Sequence, residues 1–248
     1  RTEALAAALS ALYLNIPIGH INGGDVTGGI IDEQIRHALT KISHIHFAHN
    51  KKNAERIEKM GEEKRRIFNV GALSIDVIHQ VKLQSKNQIF KKIGLSTGDT
   101  TFLVVQHPIT TLDDKGYKQF LELIKSLNTL KKQTVLLYPN CDAGGGEIIK
   151  LIDKLKNKPY FKIIRNLTHN DYLSLMKNVD IMIGNSSSGI IEAPSMKIPV
   201  INIGTRQTGR ERCENIIDVP ADKDKIIESI DFALNNRDFQ KKVKKCKS

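Results

Sequence analysis

The sequence has no tryptophan, only three cysteines, and an aromatic content of 5%. Cys141, Cys213 and Cys246 are too few and too scattered for a disulfide framework or a zinc site, so no metal is expected. They suit a reducing cytoplasm, the expected compartment, and each reads as a small packing or surface residue. No apolar run approaches the roughly 20 residues that cross a bilayer, and no membrane partner is expected. Also missing are an initiator methionine and the basic, apolar and small-residue regions of a signal peptide. The chain opens on Arg1-Thr2-Glu3-Ala4-Leu5, the composition of a helix interior, and reads as a fragment that begins within a domain.

Positive charge is what the chain has in excess, with 38 Lys and Arg against 27 acidic residues and a net charge of +11. The lysines are scattered, with small clusters at 51–52, 91–92, 131–132 and 241–245. A nucleic-acid surface adds aromatic stacking groups or a recognisable module, and neither is visible. Solvated helix faces are therefore expected, with no nucleic-acid partner and a field that favours an anionic substrate.

From about residue 100, short apolar runs at 101–106, 134–138, 161–165, 179–183 and 199–203 alternate with helical patterns near 115–130, 145–157, 169–178 and 187–197. A further helix is expected at 222–235. Continuous apolar strands alternating with amphipathic helices predict a parallel sheet covered on both faces. Residues 1–78 read as a separate piece. It holds a helix at 2–13, a strand at 16–21, a glycine-rich loop at 23–29, a helix at 32–43 and two short strands at 44–48 and 67–70. Residues 79–98, polar and lysine-rich, read as the connection.

Parallel α/β sheets bind ligands beyond the carboxyl ends of their strands. In the second half those ends carry Gln106-His107, Asn140, Asn166, Asn185-Ser186-Ser187 and Thr205-Arg206. The run Gly184-Asn185-Ser186-Ser187-Ser188-Gly189 passes from a strand into a helix. Its serines fit a helix cap, and equally a phosphate site built from hydroxyls and free backbone N–H groups. Arg206 adds a cation beside it, with a surface salt bridge as the alternative. Glu192 fits either a ribose contact or a complement to the helix start. His107 suits a cation that stabilises a leaving diphosphate, or a hydrogen-bonded structural histidine. In the first half Asp32 is an acid/base candidate if it faces the ligand, and otherwise the helical partner of Arg36. His44 and His46 share a strand face without a partnering carboxylate at metal-ligand spacing.

Six segments occur in order: His20–Thr27 (HINGGDVT), Ile35–Lys41 (IRHALTK), Gln106–Thr111 (QHPITT), Tyr138–Gly144 (YPNCDAG), Gly184–Gly189 (GNSSSG) and Gly204–Arg210 (GTRQTGR). Together they resemble the hydrolysing UDP-N-acetylglucosamine 2-epimerases of sialic-acid and legionaminic-acid synthesis, over nearly the whole chain. The resemblance implies an α/β GT-B fold of two Rossmann-like domains facing across a cleft. The end of an incomplete first domain would occupy 1–78, and a nucleotide-binding domain 79–248. It implies that Arg1, Asn140, Leu167, Ser186, Ser187, Glu192 and Arg206 bind UDP. Asp32, Asp25 and His107 would serve catalysis, and an aspartate just before Arg1 would share the proton work. It implies no cofactor and a homo-oligomer, dimer or tetramer.

The implied reaction expels UDP from C1 while C2 loses its proton. Water then adds to the 2-acetamidoglucal and gives N-acetylmannosamine. Asn22 departs from the family pattern, which carries Glu or His there, and an amide is no base near neutral pH. The alternatives are the related hydrolysing epimerase of UDP-2,4-diacetamido-trideoxyhexose and a GT-B glycosyltransferase, which would need an acceptor.

Overall fold

The computed structural model describes residues 2–27 and 31–246. The chain divides into two compact units, residues 1–77 with 208–210, and residues 78–207 with 211–248.

The first unit begins with helix α1 (Thr2–Tyr13) and strand β1 (Gly19–Ile21). Helix α2 (Asp32–Ile42) leads to β2 (Ile45–Ala48), and α3 (Lys51–Lys59) to β3 (Ile67–Asn69). All three strands are parallel, in the order β1-β2-β3. The α2 termini suit their ends of the helix dipole, with Asp32 and Glu33 in the first turn and Lys41 in the last. Asn50 caps α3 by accepting the Asn53 N–H at 2.9 Å. Helix α4 (Leu73–Gln80) then carries the chain into the second unit.

The stretch expected as a polar connection contains helix α5 (Lys86–Ile93). Ser85 and Gln88 form a reciprocal capping box, and Gly94 ends the helix in the left-handed conformation at φ 79°. Its lysines face outward while Ile89, Phe90 and Ile93 are buried, and Lys92 meets the Asp171 carboxylate at 2.8 Å.

The second unit holds β4 (Thr101–Val105), β5 (Gln133–Leu137), β6 (Phe161–Ile164), β7 (Ile181–Gly184), β8 (Val200–Ile203) and β9 (Ile216–Val219). Every pairing is parallel, and the order is β6-β5-β4-β7-β8-β9. The connecting helices are α6 (Tyr117–Leu130), α7 (Gly145–Asp153) and α8 (His169–Asn178), with α11 (Lys223–Asn235) and α12 (Arg237–Lys245) closing the chain. Strands β4 and β7 are buried along their whole length, which is why they read as unbroken apolar runs. Phe102, Val104, Ile181 and Ile183 pack with Phe120, Leu123, Ile226 and Ile230 in one core.

The strand order is that of a doubly wound sheet, whose topology reverses between the first strand, β4, and the fourth, β7. Chain connections leave these two neighbours on opposite faces, opening a crevice at their carboxyl ends. The expected helix over 187–197 is instead two single turns, α9 (Ser188–Ile191) and α10 (Ala193–Met196). Pro194 has no N–H to continue the first turn, so the ladder breaks there.

Candidate active site

His107 leaves β4 and the Asn185–Ser188 loop leaves β7, so both lie at the topological switch point of the second unit. The two strands come very close here. Gly184 has φ 134°, and a Cβ on it would stand 2.1 Å from the Val105 carbonyl oxygen, so only glycine fits. Beyond it, Asn185 is fully buried and bonds to the His107 backbone. Arg206, only 6% exposed, donates Nη1 to the Asn185 carbonyl at 3.0 Å, and Gln207 Nε2 donates to the same oxygen at 2.7 Å. Arg206 is therefore a buried residue, not one on the surface.

The His107 ring has a defined orientation. Its Nδ1 accepts the Asn140 backbone N–H at 3.2 Å, which leaves the proton of the neutral ring on Nε2. The sequence left a cation and a hydrogen-bonded histidine open for His107, and the Nδ1 contact shows the ring hydrogen-bonded. The Asn140 side chain donates to Asp142 at 2.7 Å, and its Oδ1 is buried without a partner among the described residues.

Within the serine loop, Ser186 Oγ accepts the Ser188 N–H at 3.3 Å, while the Ser187 side chain makes no cap bond. Capping thus occupies Ser186 only weakly and does not use Ser187. Tyr172 on α8 lies close to Ser188 and Ser186. Burial holds its phenol well above the ordinary range, and the nearby Glu192 charge adds to that. Glu192 keeps Oε2 buried and without a partner among the described residues. Leu167 lies half-buried in the loop between β6 and α8, two strands from the switch point.

The acid/base candidates belong to the first unit. Asp25 follows β1 and is 8% exposed. Its Oδ2 pairs with Arg210 Nη2 at 2.6 Å, and its Oδ1 accepts the Val26 N–H at 2.9 Å. Arg210 comes from the short segment 208–210, and its Nε also donates to the Val26 carbonyl at 3.2 Å. Burial lowers the Arg210 pKa, and Asp25 and Asp32 oppose that shift, so both carboxylates lie within electrostatic reach of one guanidinium. Arg36 donates to the Asp25 carbonyl at 3.1 Å and to Thr27 Oγ1 at 3.2 Å. These contacts tie the start of α2, which carries Asp32, to the loop that carries Asp25.

His20 lies under the same loop. Burial pushes its pKa down to about 4, with the charges on His46, Arg36 and His37 adding to the effect. Thr40 Oγ1 gives its hydrogen to the Arg36 carbonyl, so the 3.2 Å contact with His20 Nδ1 requires the ring to donate. Asn22 is exposed with φ 67°, a left-handed conformation that asparagine tolerates better than most residues. His44 accepts the Ile18 N–H and His46 faces Glu62, and no group of three metal-ligating side chains forms among the described residues. Arg1 lies outside the described residues.

Arg210 and Tyr172 were not legible as site residues, whereas Asn185 stood among the strand-end groups. A hint lay in the GTRQTGR segment, where Arg210 stands four residues after Arg206.

The sequence profile of the UDP-N-acetylglucosamine 2-epimerase family matches residues 1–248. The chain is 38% identical over 235 residues to the hydrolyzing UDP-N,N'-diacetylbacillosamine 2-epimerase of Legionella pneumophila, covering 95% of this chain and 62% of that protein. It is 39% identical over 221 residues to the hydrolyzing GDP/UDP-N,N'-diacetylbacillosamine 2-epimerase of Campylobacter jejuni, covering 88% and 58%. Identity to the UDP-N-acetylglucosamine 2-epimerase of Neisseria meningitidis is 30% over 240 residues, covering 97% and 63%. This chain thus spans about three-fifths of each curated relative. Among solved structures, UDP-GlcNAc 2-epimerase from Neisseria meningitidis bound to UDP-GlcNAc matches with a TM-score of 0.82 at 20% identity, covering 100% of this chain and 69% of that one. That likeness extends to the fold, and no helix among the described residues is long and apolar enough to cross a membrane. With the profile match running from the first residue to the last, the chain belongs to the UDP-N-acetylglucosamine 2-epimerase family.

Proposed function

We propose that this chain takes part in the hydrolysing 2-epimerisation of a UDP-2,4-diacetamido-trideoxyhexose, releasing UDP and the free 2-epimer. The observation that carries the chemistry is the gathering of His107, Ser186 and Arg206 at the switch point of the second unit. A buried guanidinium, an imidazole and hydroxyls there suit a diphosphate whose negative charge grows as the C1–O bond breaks. Ser187, Asn140, Leu167, Glu192 and Arg1 complete the proposed nucleotide contacts. In this reading residues 79–248 hold the nucleotide and 1–78 carry the proton chemistry.

Asp32 and Asp25 are the acid/base candidates, and their roles differ. Arg210 engages the Asp25 carboxyl at 2.6 Å, and the Val26 N–H occupies its other oxygen, which favours Asp32 for proton transfer at C2. The elements of UDP and the C2 proton leave together, and water then adds at C1 as a proton returns to the other face of C2.

The substrate assignment corrects the order of the sequence reading, which put UDP-N-acetylglucosamine first. Identities of 38% and 39% to the diacetylbacillosamine enzymes, against 30% to the UDP-N-acetylglucosamine enzyme, favour the diacetamido sugar. UDP release should be measured with the full-length protein on each sugar separately. The expected kcat/KM is at least about tenfold higher for UDP-N,N'-diacetylbacillosamine, a difference of about 1.4 kcal/mol in transition-state binding. Equal or reversed preference returns the assignment to UDP-N-acetylglucosamine.

A further inference from the structure

Asn185 is 0% exposed, and both ends of its side-chain amide are in use. Oδ1 accepts the His107 N–H at 2.8 Å, and Nδ2 donates to the His107 carbonyl at 2.9 Å. This reproduces the donor and acceptor of a neighbouring strand just where β4 and β7 stop pairing. The last backbone bond between them runs from the Asn185 N–H to the Val105 carbonyl at 3.2 Å. The carbonyl of Asn185 then accepts Arg206 Nη1 and Gln207 Nε2 from the segment after β8. One residue therefore joins the ends of three strands, and Ser186 is its direct continuation.

We propose that Asn185 is the positioning residue of this site. By fixing the His107 backbone it sets the ring so that Nδ1 meets the Asn140 N–H and the proton stays on Nε2. Through its own carbonyl it holds the Arg206 guanidinium beside the serine loop. The nucleotide half of this inference rests on the function proposed above, while the ring geometry does not. The residue type follows from the chemistry. Aspartate presents two acceptors and would repel the His107 carbonyl, alanine offers neither group, and glutamine is one methylene too long for the gap.

The test combines 15N-histidine NMR with UDP calorimetry on the wild type, Asn185→Ala and Asn185→Asp. Expected in the wild type is a His107 ring protonated at Nε2 with Nδ1 as an acceptor. In both variants the ring should become a mixture of tautomers, and UDP affinity should fall at least 30-fold. A folded variant with unchanged His107 tautomer and UDP affinity, lower only in melting temperature, would overturn the proposal. So would a wild-type ring protonated at Nδ1, a result that needs no variant to fold. Absence of UDP binding by the wild type would overturn the nucleotide half and the proposed function together, while the tautomer comparison would still decide the positioning role.

Discussion

Asp25→Ala should lower the stability of the first unit by about 3–5 kcal/mol, the usual consequence of removing one partner from a buried ion pair. The Asp25 and Arg210 side chains are only 12% and 8% exposed, and their 2.6 Å contact is charge-assisted. Without the carboxylate, the guanidinium stays buried with Arg36 close enough to repel it. For a unit of this size each kcal/mol corresponds to about 4–8 °C, so its melting transition should fall by more than about 12 °C. Exchanging both partners for apolar residues, Asp25→Leu with Arg210→Met, should recover most of the loss because no charge is then stranded. A shift within about 2 °C for Asp25→Ala, read by calorimetry, would show that the pair contributes nothing.

Arg206→Ala carries the second large effect, on ligand binding. Arg206 is 6% exposed and already anchored through Nη1 to the Asn185 carbonyl, so little side-chain freedom remains to be lost on binding. Hydrogen bonds from a buried guanidinium to a diphosphate are in the range of about 2–3 kcal/mol, so UDP affinity should drop about 30- to 150-fold. Lysine should restore little of it, because an ammonium cannot donate to Asn185 and a phosphate in the same planar geometry. Ser186→Ala should cost less, about tenfold, for one neutral hydrogen bond. Unchanged UDP affinity in both variants, measured by calorimetry, would remove the phosphate site from the serine loop.

The sheet of the second unit was legible to within a residue or two because strands buried on both faces must be apolar throughout, as Phe102–Val105 and Ile181–Ile183 are. Strand β9 escaped notice. It lies at the sheet edge, and the exposed Asp218 breaks the run Ile216-Ile217-Asp218-Val219. Helix α5 escaped because its lysines dominate the composition, although the Ser85–Gln88 capping box and Gly94 marked both of its ends.

The strand-end side chains were equally legible, since the topology rule depends only on strand direction. Their partners were not. Asn185 meets His107 across 78 positions of sequence, and Arg210 meets Asp25 across 185. No local pattern encodes such pairings. The same holds for the His107 proton, whose place depends on a backbone N–H delivered from the end of β5. Pro194 was readable as a helix breaker, and the run from 187 to 197 should have been read as two turns.

Proton exchange at C2 tests the proposed chemistry most directly. Incubated in D2O with UDP-N,N'-diacetylbacillosamine and followed by NMR, the full-length protein should release UDP and a free sugar inverted at C2 that carries deuterium there. A product still linked to UDP, or a free sugar whose C2 keeps its original hydrogen, would contradict elimination and hydration at this site.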